Sequence, residues 1–332
     1  MLHRPVRYQS DDEDSSRWEG FAFRPGDIVI STRSKSGTTW VQMICALLIF
    51  QTPDLPAPLA KLSPWLDWLI TPRDQVLARL EGQAHRRFIK THTPLDGLPL
   101  DPRATYSVVG RHPLDMVVSL YHQGSNINRD RVRELTGQSG PEADRQRPDQ
   151  QRPARPPLHD WLVSWIEAED EPGEHLDSLP GVMWHLSDAW GRRTRAGRTD
   201  ADPAASAGAN PAVLLVHYDD LSADLDGQMR RLAALLGISV GPHIWPSLVR
   251  AATFDAMRAR AAAQAPDPAG ILKDPTAFFR RGYSGAGRET LSLAELERYQ
   301  ARAAQLAPPD LLGWLHRDGI IDPGWMEPAA AG

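Results

Sequence analysis

Asp27-Ile28-Val29-Ile30-Ser31-Thr32-Arg33-Ser34-Lys35-Ser36-Gly37-Thr38-Thr39-Trp40 is the stretch on which the fold turns. After the turn signal Pro25-Gly26, its first six residues form a short β-branched run that reads as a buried strand. Arg33 to Thr39 is a loop of small and hydroxyl-bearing residues, and an apolar helix is expected from about Trp40 to Phe50. Strand, small-residue loop and helix in that order present backbone N–H groups to an anion at the helix start. Gly37 lets the backbone come close to such an anion. Ser36, Thr38 and Thr39 add hydroxyl donors, and Lys35 supplies a point charge. The G-x-x-x-x-G-K-S/T order of a Walker A loop is absent, because the lysine here precedes the glycine.

Three more runs read as strands: His85 to Thr91, Thr105 to Gly110 and Ala212 to Tyr218. Helical patterns lie between them, including Pro113 to His122 and Leu225 to Leu236, the latter closed by Gly237. Apolar strands alternating with helices predict an α/β fold, a central parallel sheet flanked by helices. The 332 residues are read as a single domain, 1–332, with flexible surface inserts at about 136–157 and 198–211. The acidic run Asp11 to Asp14 reads as a solvated tail.

With 37 basic against 42 acidic residues the net charge is −5, the opposite of a nucleic-acid binder. Any anion site is therefore local, built from a few placed cations. The single cysteine, Cys45, lies in an apolar run and reads as a small buried hydrophobe. With no signal-like start and no membrane-length apolar run, a cytoplasmic protein with at most peripheral membrane contact is expected.

Two further segments carry chemistry. In Arg111-His112-Pro113-Leu114-Asp115-Met116-Val117-Val118-Ser119-Leu120-Tyr121-His122 an arginine ends a strand, and Ser119 follows just over two helical turns later. An Arg fork and a hydroxyl can hold one phosphate together. In Arg87-Phe88-Ile89-Lys90-Thr91-His92-Thr93-Pro94 the Lys-x-His spacing puts Lys90 and His92 on one face of a strand. A lone histidine after a strand is more often structural, and His159 and His185 are read that way.

Lys35-Ser36-Gly37-Thr38-Thr39-Trp40 resembles the 5'-phosphosulfate loop of cytosolic-type sulfotransferases, and the rest of that family's pattern follows in order. Arg111 to His122 resembles the family's 3'-phosphate element, and Lys90-Thr91-His92 the segment bearing its general base. Val216-His217-Tyr218-Asp219-Asp220-Leu221 is similar to its strand-end Tyr-Glu-Asp-Leu. Ala252-Thr253-Phe254-Asp255-Ala256-Met257 is similar to T-S-F-x-x-M, and Phe278-Phe279-Arg280-Arg281-Gly282 to F-x-R-K-G. Arg86 to Leu98, Leu62 to Asp67 and Gln305 to Leu312 look most like the mycobacterial glycolipid sulfotransferase branch. Two departures stand out. Leu114 sits where the family usually has lysine, and Ala286-Gly287-Arg288 sits where it reads Asp-Trp-Lys.

The resemblance implies a P-loop-like sulfotransferase fold and transfer of a sulfuryl group from 3'-phosphoadenosine-5'-phosphosulfate (PAPS) to an acceptor hydroxyl. The desulfated nucleotide (PAP) is the product, and no metal takes part. His92 is the implied base, Lys35 stabilises the leaving phosphate, and Lys90 with Thr38 and Thr39 supports the sulfuryl oxygens. Arg111, Ser119, Arg280 and Arg281 hold the 3'-phosphate, while Trp40, Tyr218 and Phe254 pack about the adenine. Thr253, Met257, Phe279 and Gly282 complete the implied donor set. The acceptor is a glycolipid or another hydroxyl-bearing molecule, such as a small phenol or secondary-metabolite alcohol, taken by a monomer or homodimer. Trp65 and Trp68, with Leu69, fall at helical spacing and read as helix core or as the acceptor wall. Two rival readings are a P-loop kinase and a non-catalytic nucleotide-binding protein.

Overall fold

Four strands form the centre of the structure: β1 (Ile28–Ser31), β2 (Phe88–Thr91), β3 (Thr105–Gly110) and β4 (Ala212–His217). They pair in the order β2-β1-β3-β4 and every pairing is parallel. Ile28 lies opposite both Phe88 and Thr105, and Gly110 lies opposite His217. This computed structural model describes residues 4–137, 155–193, 211–265, 267, 269–282 and 284–317. Of the expected inserts, residues 138–154 and 198–210 lie outside the described residues.

The strands are buried nearly throughout because both faces are covered. Ile28, Ile30, Phe88 and Val216 pack toward the helices Thr38–Phe50, Leu225–Leu235 and Trp245–Ala252. Val29, Ile89, Val108 and Val213 point the other way, toward Pro113–Asn126, Leu179–Arg192 and Leu293–Leu306. Two-residue periodicity thus sorts one continuous apolar run into two cores. Each fully buried aliphatic side chain contributes roughly 1.5–3 kcal/mol. Cys45 is 2% exposed within the first core, and burial pushes its thiol up to about 12. It packs as the hydrophobe its setting suggested.

The connection from β1 leads to β2 on one side, and the connection from β2 crosses to β3 on the other. In such sheets ligands bind in the crevice outside the carboxyl ends of the strands, where the order reverses. Here those ends deliver Thr32 after β1, His92 after β2, Arg111 after β3 and Tyr218 after β4.

Two expectations are overturned. Asp11 to Asp14 is not a solvated tail. The Leu69 N–H donates to the Asp12 carbonyl at 2.8 Å, and the Asp14 N–H donates to the Asp67 carbonyl at 2.8 Å. The Asp14 carboxylate caps the short helix Ser15–Trp18. Residues 6–17 form a strap across the molecule. Nor do Trp65 and Trp68 lie on a helix: each makes an isolated bridge, to Lys90 and Glu13 respectively. Their three-residue spacing instead stacks the two indoles, with centroids 4.8 Å apart and planes 13° off parallel.

The departures from the family pattern fit one another. Leu114 is fully buried, and a Cβ on Gly287 would fall 2.4 Å from the Leu114 Cβ. The Asp115 carboxylate accepts from the Gly285 N–H at 2.9 Å and the Gly287 N–H at 3.1 Å. The short helix Ala286–Thr290 therefore docks on Pro113–Asn126 through a leucine and a missing side chain. Gly287→Val is expected to overpack this joint and cost about 1–3 kcal/mol. The check is a lower urea midpoint at unchanged slope.

Candidate active site

The loop after β1 bends through two left-handed residues, Lys35 at φ 62° and Gly37 at φ 114°. Only Gly37 takes this conformation without strain. It is doubly required, because an added Cβ would stand 3.0 Å from the Tyr218 ring. Lys35, which carries a Cβ, holds a conformation that non-glycine residues rarely adopt. The turn ends at the first residues of Thr38–Phe50, where helix N–H groups lack intrahelical acceptors. The Thr32 and Thr38 hydroxyls bond each other across the loop mouth.

His92 is held from this same loop. Its Nδ1 donates to the Thr32 carbonyl, which fixes the tautomer and leaves Nε2 with the lone pair. Nε2 has no hydrogen-bond partner among the described residues, and His92, 6% exposed, lines the cleft. Burial, then Lys90 and Arg33, hold its protonation well below the ordinary histidine range. The imidazole is therefore neutral near pH 7. Arg33 grips the His92 carbonyl with one nitrogen and the Asp177 carboxylate with two others, at 2.7 and 3.2 Å. Trp65 meets the His92 ring edge-on at 4.7 Å.

Four cations converge at the loop. Burial, with the nearby charges of Arg111, Lys90 and Arg280, pushes the Lys35 amine down to about 7. Its Nζ reaches Gln123 Oε1 at 3.4 Å and stands 3.6 Å from the Phe278 ring centroid. Lys90, held down to about 8 by burial, lies 3.5 Å above Trp65. The Arg111 guanidinium donates to the Lys35 carbonyl at 3.0 Å and stacks 4.2 Å over Tyr218. Its Nε is buried without a hydrogen-bond partner among the described residues. Grouped cations that depress one another's protonation suit a polyanion. Aromatic faces adjoin them: Trp40 meets Tyr218 edge-on at 5.2 Å, and Phe254 meets Phe279 at 6.0 Å. Gly282 lies against Phe254 so closely that a Cβ would fall 2.7 Å from the ring.

These groups line one cleft of about 1060 Å³. It gathers Lys35, Gly37, Thr38, Thr39 and Trp40 from the first motif, and Lys90 and His92 from β2 and beyond. Arg111, Ser119, Tyr218, Phe254, Met257, Phe279, Arg280, Arg281 and Gly282 also line it. Two residues of the implied set do not. Ser36 is buried behind the loop, its N–H given to the Arg33 carbonyl. The Thr253 hydroxyl is spent on the helix it caps, accepting from the Ala256 N–H at 3.3 Å and donating to the Arg250 carbonyl at 2.9 Å. His185 is fully buried beside Ser31, and His159 is exposed beside Glu295.

Sequence reasoning missed Arg33, Gln123 and the strap. Gln123 is one turn beyond Ser119 on the same helix face, a signal that was available. Arg33 directly follows β1, yet its two partners, at residues 92 and 177, are distant in the chain. Among the described residues no group of three or more His, Cys, Asp or Glu is placed to hold a metal. No helix among them is long and apolar enough to cross a membrane.

The chain is similar to known proteins along most of its length. A sulfotransferase domain model matches residues 25–186 and 198–307. A glycolipid sulfotransferase of Mycobacterium bovis is 42% identical over 323 residues, 94% of each chain. A glycolipid sulfotransferase of Mycobacterium tuberculosis is 42% identical over 322 residues, again 94% of each chain. Among solved structures, a retinol dehydratase in complex with androsterone and inactive cofactor PAP superposes with a TM-score of 0.62 at 17% identity. It covers 92% of this chain and 90% of its own. A mouse sulfotransferase complexed with PAP gives 0.61 at 18% identity, over 91% and 92%. At these identities the structural likeness concerns the fold.

Burying these cations has a measurable cost. Lys35 titrates at about 7 in the folded chain against an ordinary 10.5, and Lys90 at about 8. Between roughly pH 7 and pH 10 the unfolded chain binds more protons, so stability rises with pH. Unliganded protein should melt higher at about pH 9 than at about pH 7. Lys35→Met should flatten that rise, and pyrophosphate added at pH 7 should replace it. An identical rise in the variant would exclude Lys35 as its source.

Proposed function

The chain belongs to the sulfotransferase family, and on that footing we propose that it moves the sulfuryl group of PAPS to a hydroxyl of a glycolipid, with His92 as general base. The observation that carries this is the pairing of one neutral, oriented imidazole with the cation group around Lys35 in a single cleft. The cations suit a phosphate-bearing donor, and the oriented neutral imidazole beside them suits removal of a proton from an acceptor hydroxyl.

The residues present fit the nucleotide. Arg111, with its unpartnered Nε, Ser119, Arg280 and Arg281 suit a 3'-phosphate. The loop N–H groups and Lys35 suit the 5' end, and Trp40, Tyr218, Phe254 and Phe279 offer aromatic faces to a base. Transfer is in line: the acceptor oxygen bonds to sulfur as the sulfur–phosphate oxygen bond breaks. His92 Nε2 takes the hydroxyl proton. Lys35 offsets the charge left on the phosphate oxygen, while Lys90, Thr38 and Thr39 steady the sulfuryl oxygens. Little covalent work falls to the protein, and positioning and charge stabilisation dominate. The acceptor approaches past Trp65 and Trp68, which line the cleft, with Trp65 edge-on to His92. The glycolipid assignment leans on the mycobacterial relatives.

His92→Ala should bind PAP as the parent does yet turn over at least ~10²-fold more slowly. Unchanged turnover would remove His92 from the chemistry. PAP should bind far more tightly than AMP, since the 3'-phosphate meets charged donors worth about 1.5–3 kcal/mol each. Equal affinities, read by calorimetry, would favour an ATP-type nucleotide instead.

A further inference from the structure

His92 is held from both sides along the chain. Thr91 and Thr93 flank it, and both hydroxyls donate to one oxygen, Oδ2 of Asp67, that of Thr93 at 2.5 Å. The Thr91 oxygen in turn accepts from the Thr93 N–H at 2.9 Å. That bond closes a small turn with His92 at its centre, of the kind that serine and threonine hydroxyls form with the backbone two residues on. The Thr93 carbonyl accepts from the Ser31 hydroxyl at 2.7 Å, which ties the far side of the turn to β1. Asp67 is itself fixed. Its carbonyl takes the Asp14 N–H at 2.8 Å, and just before it the Pro64 carbonyl takes the Lys90 N–H at 3.0 Å. The Asp67 carboxyl is fully buried, and its Oδ1 has no hydrogen-bond partner among the described residues. Burying such a group is costly, and an apolar trio of the same shape can be as stable or more so. A stable core does not require an aspartate here. The bonds do not depend on its charge either: burial raises its protonation above the usual carboxylate range, with the two hydroxyls opposing, and Oδ2 accepts in either form. The cations that sense it are engaged elsewhere, Arg17 with the Trp68 and Thr71 carbonyls and Lys90 over Trp65.

We propose that Asp67 is a positioning residue for the transfer: by gathering the Thr91 and Thr93 hydroxyls it fixes the turn at His92, so that the ring keeps its Nδ1 bond to Thr32 and presents Nε2 to the cleft. The inference rests on the reading of His92 as the base and adds what holds that base in place. The ring's own tie is its bond to the Thr32 carbonyl, and that bond keeps its direction only if the backbone beneath the ring is set. Arg33 holds the carbonyl of His92, and Asp67 holds the residues before and after it, so three successive positions are braced. A misplacement of about 1 Å can cost ~10²-fold in rate. That sensitivity is a physical reason to keep a half-satisfied carboxyl in the core one step removed from the chemistry.

The test uses the full chain with PAP bound and its histidines labelled with heavy nitrogen, His92 being assigned by its absence from His92→Ala. Nitrogen–proton spectra of the parent should show a neutral His92 ring protonated on Nδ1. Asp67→Ala should mix in the Nε2-protonated form. Its turnover of sulfate-labelled PAPS with a whole-cell lipid extract should fall about 10-fold, short of the ~10² expected for removing the base. PAP affinity should hold, because the donor contacts are untouched. Asp67→Asn keeps an oxygen for both hydroxyls and should restore ring and rate together. Thr93→Val removes one of the two bonds with Asp67 in place, and should shift ring and rate the same way even where Asp67→Ala does not fold. A lower melting temperature with ring and rate unchanged, in Asp67→Ala or failing that in Thr93→Val, overturns the proposal. So does an Asp67→Asn that behaves as Asp67→Ala does, or a loss of PAP binding that parallels the loss of rate. Parent-like turnover in His92→Ala, or no transfer by the parent, instead overturns the reading of His92 as the base and the proposal with it, even where the ring spectrum still responds to Asp67.

Discussion

One hydrogen bond joins the loop after β1 to the segment after β2: His92 Nδ1 to the Thr32 carbonyl. Thr32 directly follows the strand that launches the anion loop, and His92 directly follows the neighbouring strand. Because β1 and β2 run parallel in register, Ser31 opposite Thr91, the loop and the imidazole start from adjacent strand ends. The bond then sets the ring's orientation and tautomer. Arg33, next in the chain, repeats the connection by gripping the His92 carbonyl. An imidazole positioned by the same backbone that bends into the anion loop keeps its place relative to that loop.

Around that joint the protein accepts unfavourable local terms. Lys35 takes a left-handed backbone, and its amine is crowded by Arg111, Lys90 and Arg280. Both follow from aiming several positive groups at one small volume. Preorganised charge of this kind is effective in a transition state because it requires no rearrangement when the reaction occurs. The sheet bears the strain: its strands are buried on both faces, and its two cores are close-packed against helices on either side.

Much of this was legible in the sequence. The strands are short β-branched runs, so local preference and tertiary burial agree, and the four strand ends bring Thr32, His92, Arg111 and Tyr218 to the same end of the sheet. What escaped was long-range. Asp12 meets Leu69, and Asp14 meets Asp67, more than fifty residues away; an acidic run with no such partner in view resembles a tail. Trp65 and Trp68 keep a spacing shared by a helix and by a tight bend, and only the bridges to Lys90 and Glu13 decide between them. Thr253 sits inside a matching motif, yet its hydroxyl serves the helix it starts. Motif spelling identifies neighbours in the chain, whereas the lining of a cleft depends on where a hydroxyl points.

The strap also constrains the timing of assembly. Its backbone partners are at residues 67, 69 and 96, and the Tyr8 hydroxyl accepts from the Trp184 indole at 2.9 Å. On a ribosome the strap leaves the exit tunnel before any of these partners has been made. At roughly 5–20 residues per second, about 8–33 seconds pass between the strap and Trp184. Through that interval the acidic run is bathed in water, as its composition alone suggests. The Tyr8 contact of the strap therefore closes later than the pairing of β1, whose strand partners lie no further along the chain than residue 108.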